Sequence, residues 1–233
     1  MTIPALNPAR HKTLLLQILK DIYSDASIAS VLGFKGGTAA FLFYGLDRFS
    51  VDIDLDLLDG SKEDAVFKRV EQIARQYGTV REVSRKRYTL LIILSYETGA
   101  TQVKIEINRR TFGSHYHILT YLGISMQVMV QEDMFAHKLM AMHERIGKTS
   151  RDIYDVWFFL RHTWDINREI VEQRAGMPFT DLVQRCVGQL ETMADRSILS
   201  GLGELLTPGQ KTWTKTRLKG DTIFLLRALA GEK

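Results

Sequence analysis

Lys35-Gly36-Gly37-Thr38, followed by Arg48-Phe49-Ser50-Val51-Asp52-Ile53-Asp54-Leu55-Asp56, is the stretch of this chain whose reading decides the fold. Val51, Ile53, Leu55 and Leu57 alternate with Asp52, Asp54 and Asp56, so the segment predicts a strand over 50–58 with one apolar and one acidic face. Side chains two apart on one face of a strand lie about 7 Å from each other. Carboxylates at that spacing repel unless a cation lies between them. Magnesium suits such a site, because hard cations take oxygen ligands and keep positions open for substrate phosphates. Two such ions roughly 4 Å apart clamp the attacking and leaving oxygens of an in-line phosphoryl displacement. Acids on an exposed strand face are ordinarily just solvated. Three aspartates in alternation, however, break the local strand preference, and broken local rules mark functional positions.

The glycine pair sharpens this reading. It follows Val31-Leu32-Gly33-Phe34, a short strand candidate, and precedes Ala39-Ala40-Phe41-Leu42-Phe43-Tyr44, a helix over 38–45. Glycines let backbone approach phosphate closely, and a helix N-terminus favours negative charge. Gly36, Gly37 and Thr38 are therefore expected to hold phosphates through backbone N–H groups and a hydroxyl. Ser50, two residues before Asp52, shares its face and has a hydroxyl to offer to phosphate. The segment Gln102–Asn108 alternates as well, with Val103, Ile105 and Ile107 apolar and Glu106 on the opposite face. If this strand lies beside the aspartate strand, Glu106 joins Asp52 and Asp54.

These motifs resemble the signature of AbiEii/AbiGii-type nucleotidyltransferases, toxins of bacterial abortive-infection toxin–antitoxin systems within the DNA polymerase β-like nucleotidyltransferase superfamily. The likeness is carried by Lys35-Gly36-Gly37-Thr38-Ala39 and Asp47–Leu55, and continues in Glu132–Met142 with Lys138, in Arg145, and in Arg151-Asp152-Ile153-Tyr154-Asp155. It spans roughly residues 30 to 160. Lys35 stands where the broad superfamily has an apolar residue, although lysine is usual there in this branch. Glu106 fills the third acidic position, where Asp is also common.

The resemblance implies an α+β fold, with a nucleotidyltransferase-type mixed sheet and flanking helices over 1–130 and a helical lobe over 131–233 that completes the nucleotide site. It implies Asp52, Asp54 and Glu106 as catalytic ligands of two Mg²⁺ ions, with Lys138 on the triphosphate. Lys35, Arg48, Arg145, Arg151, Asp152 and Asp155 would serve nucleotide binding. Residues alone allow Asp152 and Asp155 to orient Lys or Arg side chains instead. The implied partners are a nucleoside triphosphate, an RNA acceptor such as tRNA, and a cognate antitoxin protein. A protein or small-molecule acceptor, and a non-catalytic nucleotide-binding module, stay open as alternatives.

Composition bounds the reading. At 233 residues and 45% hydrophobic, the chain can bury a sizeable core. Its single cysteine, Cys186, excludes a disulfide framework and suits a reducing cytoplasm. No apolar run approaches the roughly 18 residues of a membrane span, and no secretory signal is evident. The net charge of +4 is compatible with RNA, and Arg81, Arg85, Lys86, Arg87, Arg109 and Arg110 are candidate contacts, as are Lys211, Lys215, Arg217 and Lys219 near Trp213.

Periodicity predicts helices at 8–24, 62–77, 131–146, 151–162, 167–175, 180–195, 197–206 and 212–230. It predicts strands at 80–86, 88–97, 101–109 and 126–130, with Thr98-Gly99-Ala100 as a turn. His115-Tyr116-His117 reads as a loop, and the histidines there and at 137 and 143 as structural or solvated.

Overall fold

The structure, a computed structural model, describes residues 6–97 and 101–231; the expected turn at 98–100 lies outside them. The chain divides into two compact units, 1–111 with 115–129, and 112–114 with 130–233.

The first unit begins with α1 (Pro8–Ser24), capped by Asn7, whose side chain accepts from the backbone N–H of Arg10. Its apolar stripe of Leu14, Leu15, Ile18, Leu19 and Ile22 is buried. Then follow β1 (Leu32–Lys35), α2 (Gly36–Phe43), β2 (Ile53–Leu57), α3 (Glu63–Arg75), β3 (Thr79–Arg85), β4 (Thr89–Ser95), β5 (Val103–Asn108), β6 (Tyr116–Tyr121) and β7 (Ile124–Met129). The strands form one seven-stranded sheet in the order β3-β4-β5-β2-β1-β7-β6. It is mixed: β2 runs parallel to β5 and β1 parallel to β7, while the other pairs are antiparallel.

Register decides which side chains meet. Ile53 pairs with Ile105 and Leu55 with Ile107, and all four are fully buried. Because side chains alternate, the same register sets Asp54 opposite Glu106 and Asp56 opposite Asn108 on the other face.

The second unit is helical: α4 (Gln131–Arg145), α5 (Arg151–Arg161), α6 (Arg168–Ala175), α7 (Phe179–Thr192), α8 (Pro208–Trp213) and α9 (Lys219–Ala230). Cys186 is buried in α7, and burial pushes its thiol up to about 12. Trp213 packs on Trp157 with ring centres 4.2 Å apart, so its face is committed to this core.

Three expectations are corrected. Residues 116–121 form strand β6, since Tyr, Ile, Leu and Thr suit a pleated surface and Leu122-Gly123 closes a two-residue hairpin turn onto β7. Residues 197–206 are not a helix: short 3-10 turns at Asp195–Ser197 and Gly203–Leu205 flank Gly201, which is at φ +63°. Glycine is a poor helix former, and two within three residues break the run. The stretch expected as one helix over 212–230 is helical throughout but not uniformly α: α8 passes through a π-helical segment at Thr214–Leu218 into α9.

Candidate active site

The acidic face of β2 lies beside the turn that launches α2. Gly36 sits at φ +77°, a conformation that L side chains rarely adopt, and a Cβ there would collide with the Asp54 carboxylate. The chain can therefore enter α2 against Asp54 only because this residue is glycine. No side chain caps the N-terminus of α2, so its first N–H groups depend on partners from outside the helix. Gly37 lies against the Arg48 guanidinium and the Ser50 hydroxyl.

Each predicted residue can now be located. Asp54 and Glu106 are directly opposed across parallel strands, both half-buried. Like charges in directly opposite positions destabilise a sheet, which gives the pair a use for a cation. Asp52 stands just before β2, and its carbonyl accepts from the Thr38 hydroxyl. Thr38 also pairs with Ser50 at 2.9 Å, and both are buried. These two hydroxyls therefore lock the approach to β2 onto α2. Arg48 is 2% exposed and donates to the Phe49 carbonyl at 2.9 Å, so it shapes the same turn from within.

Asp56, the third aspartate, anchors a buried network. It accepts from Lys35 Nζ, Asn108 Nδ2 and the Tyr116 hydroxyl, each at 2.6 Å. Lys35 is thus drawn along the sheet to Asp56. Tyr116 reaches Asp56 over Gly33, where any Cβ would overlap its ring. Neither Asn108 nor Tyr116 stood out in the sequence. Asn108 shares the face of Glu106 two residues on, a signal open to reading; the role of Tyr116 depends on a contact 60 residues away.

His11 was also missed. Its Nε2 lies 2.9 Å from the Val51 carbonyl and its Nδ1 3.1 Å from the Tyr96 hydroxyl. A carbonyl only accepts, so Nε2 carries the proton and the neutral ring accepts from Tyr96. Burial lowers the His11 pKa, against the opposing pull of the Val51 carbonyl and the Asp52 charge.

The donor set suits magnesium in an open site. Among the described residues no three His, Cys, Asp or Glu side chains are gathered as a ready ion cage. The Asp54–Glu106 pair instead offers the one or two carboxylates that Mg²⁺ ordinarily combines with water and substrate phosphates.

In the second unit, Lys138 of α4 lies between Asp152 at 3.0 Å and Asp155 at 2.7 Å, both on α5, and Arg145 reaches Asp152 at 3.2 Å. Asp152 and Asp155 are almost fully buried. Three positions apart on a helix, they share a face and orient the lysine. Arg151 is half-buried in the first turn of α5. His137 lies between Ser114 at 2.8 Å and Arg174 at 2.7 Å, a structural role.

A seven-stranded mixed sheet that sets paired carboxylates beside a glycine-started helix accords with the nucleotidyltransferase-type fold expected from the sequence. Two solved structures share the fold: a candidate nucleotidyltransferase from H. pylori (19% identity, 98% of this chain and 95% of that chain, TM-score 0.56) and JHP933 from Helicobacter pylori (20% identity, 98% and 92%, TM-score 0.56). The family described as "Nucleotidyl transferase AbiEii toxin, Type IV TA system" matches residues 17–197. The chain belongs to that family. No curated protein matches it. Among the described residues, no helix is long and apolar enough to cross a membrane.

Proposed function

We propose that this nucleotidyltransferase toxin transfers a nucleoside monophosphate from a nucleoside triphosphate to a hydroxyl of RNA, with tRNA as the acceptor class, and that it requires Mg²⁺. The observation that carries the proposal is the Asp54–Glu106 pair held against the Gly36 turn.

The N–H groups at the start of α2 bind triphosphate oxygens, and Gly36 brings that backbone close to the carboxylates. Asp54 and Glu106 would hold Mg²⁺, which would neutralise phosphate charge and ease deprotonation of the acceptor hydroxyl. The acceptor oxygen bonds to the α-phosphorus as the bond from that phosphorus to the oxygen bridging the β-phosphate breaks. Pyrophosphate leaves, and the hydroxyl proton passes to solvent. Thr38, Ser50 and Arg48 act by fixing the turn and the entry to β2. A cognate antitoxin would restrain the enzyme in the cell, as the toxin family implies.

The test is label transfer from each α-labelled triphosphate to total bacterial RNA with Mg²⁺, beside an Asp54→Ala control. Label in a tRNA-sized band that disappears in the control supports the reading. Label on protein, or on a small molecule only, overturns the RNA acceptor.

A further inference from the structure

We propose that the turn Lys86-Arg87-Tyr88, together with Arg110, is a docking platform for an unpaired base and its flanking phosphates in the acceptor RNA. This rests on the RNA reading above.

Tyr88 is a large aromatic residue left 43% exposed at the tip between β3 and β4. An exposed tyrosine needs no support, yet this one is pinned. The Arg109 backbone N–H donates to the Tyr88 carbonyl at 2.9 Å. The Arg109 guanidinium donates to the carbonyls of Lys86 at 3.0 Å and Arg87 at 3.4 Å, and is itself tied to Glu63 at 2.7 Å. Lys86 N–H closes the turn onto the Thr89 carbonyl at 2.8 Å.

Arg85 is balanced by Glu63 and Asp64 of α3, each at 2.7 Å, and Arg109 also pairs with Glu63. Arg87 and Arg110 turn onto the Tyr88 ring, their guanidinium carbons 4.9 and 5.0 Å from its centre. Arg110 also donates to the Asn108 side chain, which in turn holds Asp56. The result is a half-exposed aromatic ring with two guanidinium groups close against it.

Position gives the platform its purpose. Thr89 is the register partner of Asn108, two residues from Glu106 on the same strand. At about 3.3 Å per residue, Tyr88 lies roughly 10 Å from Glu106 along the sheet. Unpaired RNA bases stack on aromatic and guanidinium planes while Arg meets the phosphates, without regard to sequence. A base seated at Tyr88 would aim the neighbouring strand end towards the carboxylates.

The experiment measures binding of the full-length protein to a labelled single-stranded RNA and to tRNA over a salt series, without nucleotide, so it does not depend on catalysis. Tyr88→Ala should weaken binding about tenfold while Tyr88→Phe stays near wild type. Arg87→Gln should lower the slope of log affinity against log salt by about one. Wild-type RNA binding with Tyr88→Ala unchanged overturns the platform and leaves the RNA acceptor standing. Absence of salt-sensitive RNA binding in the wild type, with label passing to another acceptor, overturns both.

Discussion

At Gly36 one missing carbon sets the site. Its φ of +77° and the proximity of Asp54 act together. Gly36→Ala should cost about 1–3 kcal/mol for the backbone conformation alone, and should displace Asp54 or the start of α2. Chemical denaturation and label transfer, measured together, should show a modest loss of stability and a near-complete loss of transfer. His11 acts on the approach to the same strand, at the Val51 carbonyl, as a neutral ring. Its folded pKa is lowered below the ordinary 6.5 by burial, so below that pH the unfolded chain takes up the proton more readily than the native one. The stability His11 contributes is therefore full above about 6.5 and is lost as pH falls towards the folded value. The melting temperature of the wild type should fall more steeply between about pH 7.5 and 5 than that of His11→Gln.

Among the elements, the α4–α5 pair shows how a charged cluster survives burial. Two carboxylates with side chains 3% and 0% exposed face one lysine and one arginine. Removing one partner from such a group leaves uncompensated charge, which costs about 3–5 kcal/mol. Lys138→Ala should lose that much in urea unfolding, and Lys138→Met combined with Asp152→Asn and Asp155→Asn should recover much of it. A stable Lys138→Ala protein would show that the cluster contributes little to holding α4 on α5. The strand pair β2–β5 follows the opposite logic: its apolar face is fully satisfied by Ile53, Leu55, Ile105 and Ile107, and its acidic face opposes two carboxylates, Asp54 and Glu106, that the proposed cation would draw together.

Over the whole molecule, each unit closes its own core. The tryptophans, Trp157, Trp164 and Trp213, all belong to the helical unit. Tryptophan fluorescence therefore follows that unit, whereas far-UV circular dichroism follows both. The two transitions should not coincide on denaturation. Asp56→Ala, which strands Lys35 beside the buried network, should move the circular-dichroism midpoint and leave the fluorescence midpoint in place. Superimposable transitions in wild type and variant alike would mean that the chain unfolds as one cooperative body.

Local pattern alone was enough to show the sheet with its flanking helices, the acidic face of β2, the glycine turn before α2 and most helix limits. Period-two and 3.6-residue alternation are written residue by residue, and glycine marks backbone that no other residue adopts. Even the pairing of Glu106 with the aspartate strand was open to inference, because both strands carry the same alternation. Tertiary structure alone decided which partner each acid meets. It paired Asp54 with Glu106, withdrew Asp56 and Lys35 into a network with Tyr116, turned Thr38 and Ser50 inward, seated His11 under Val51, and clamped Lys138 between Asp152 and Asp155. It also brought two arginines onto the Tyr88 ring, one of them from a different strand end. Each of these depends on strand register or on contacts between segments far apart in the chain, and a sequence shows what a side chain can do but not which distant side chain it meets.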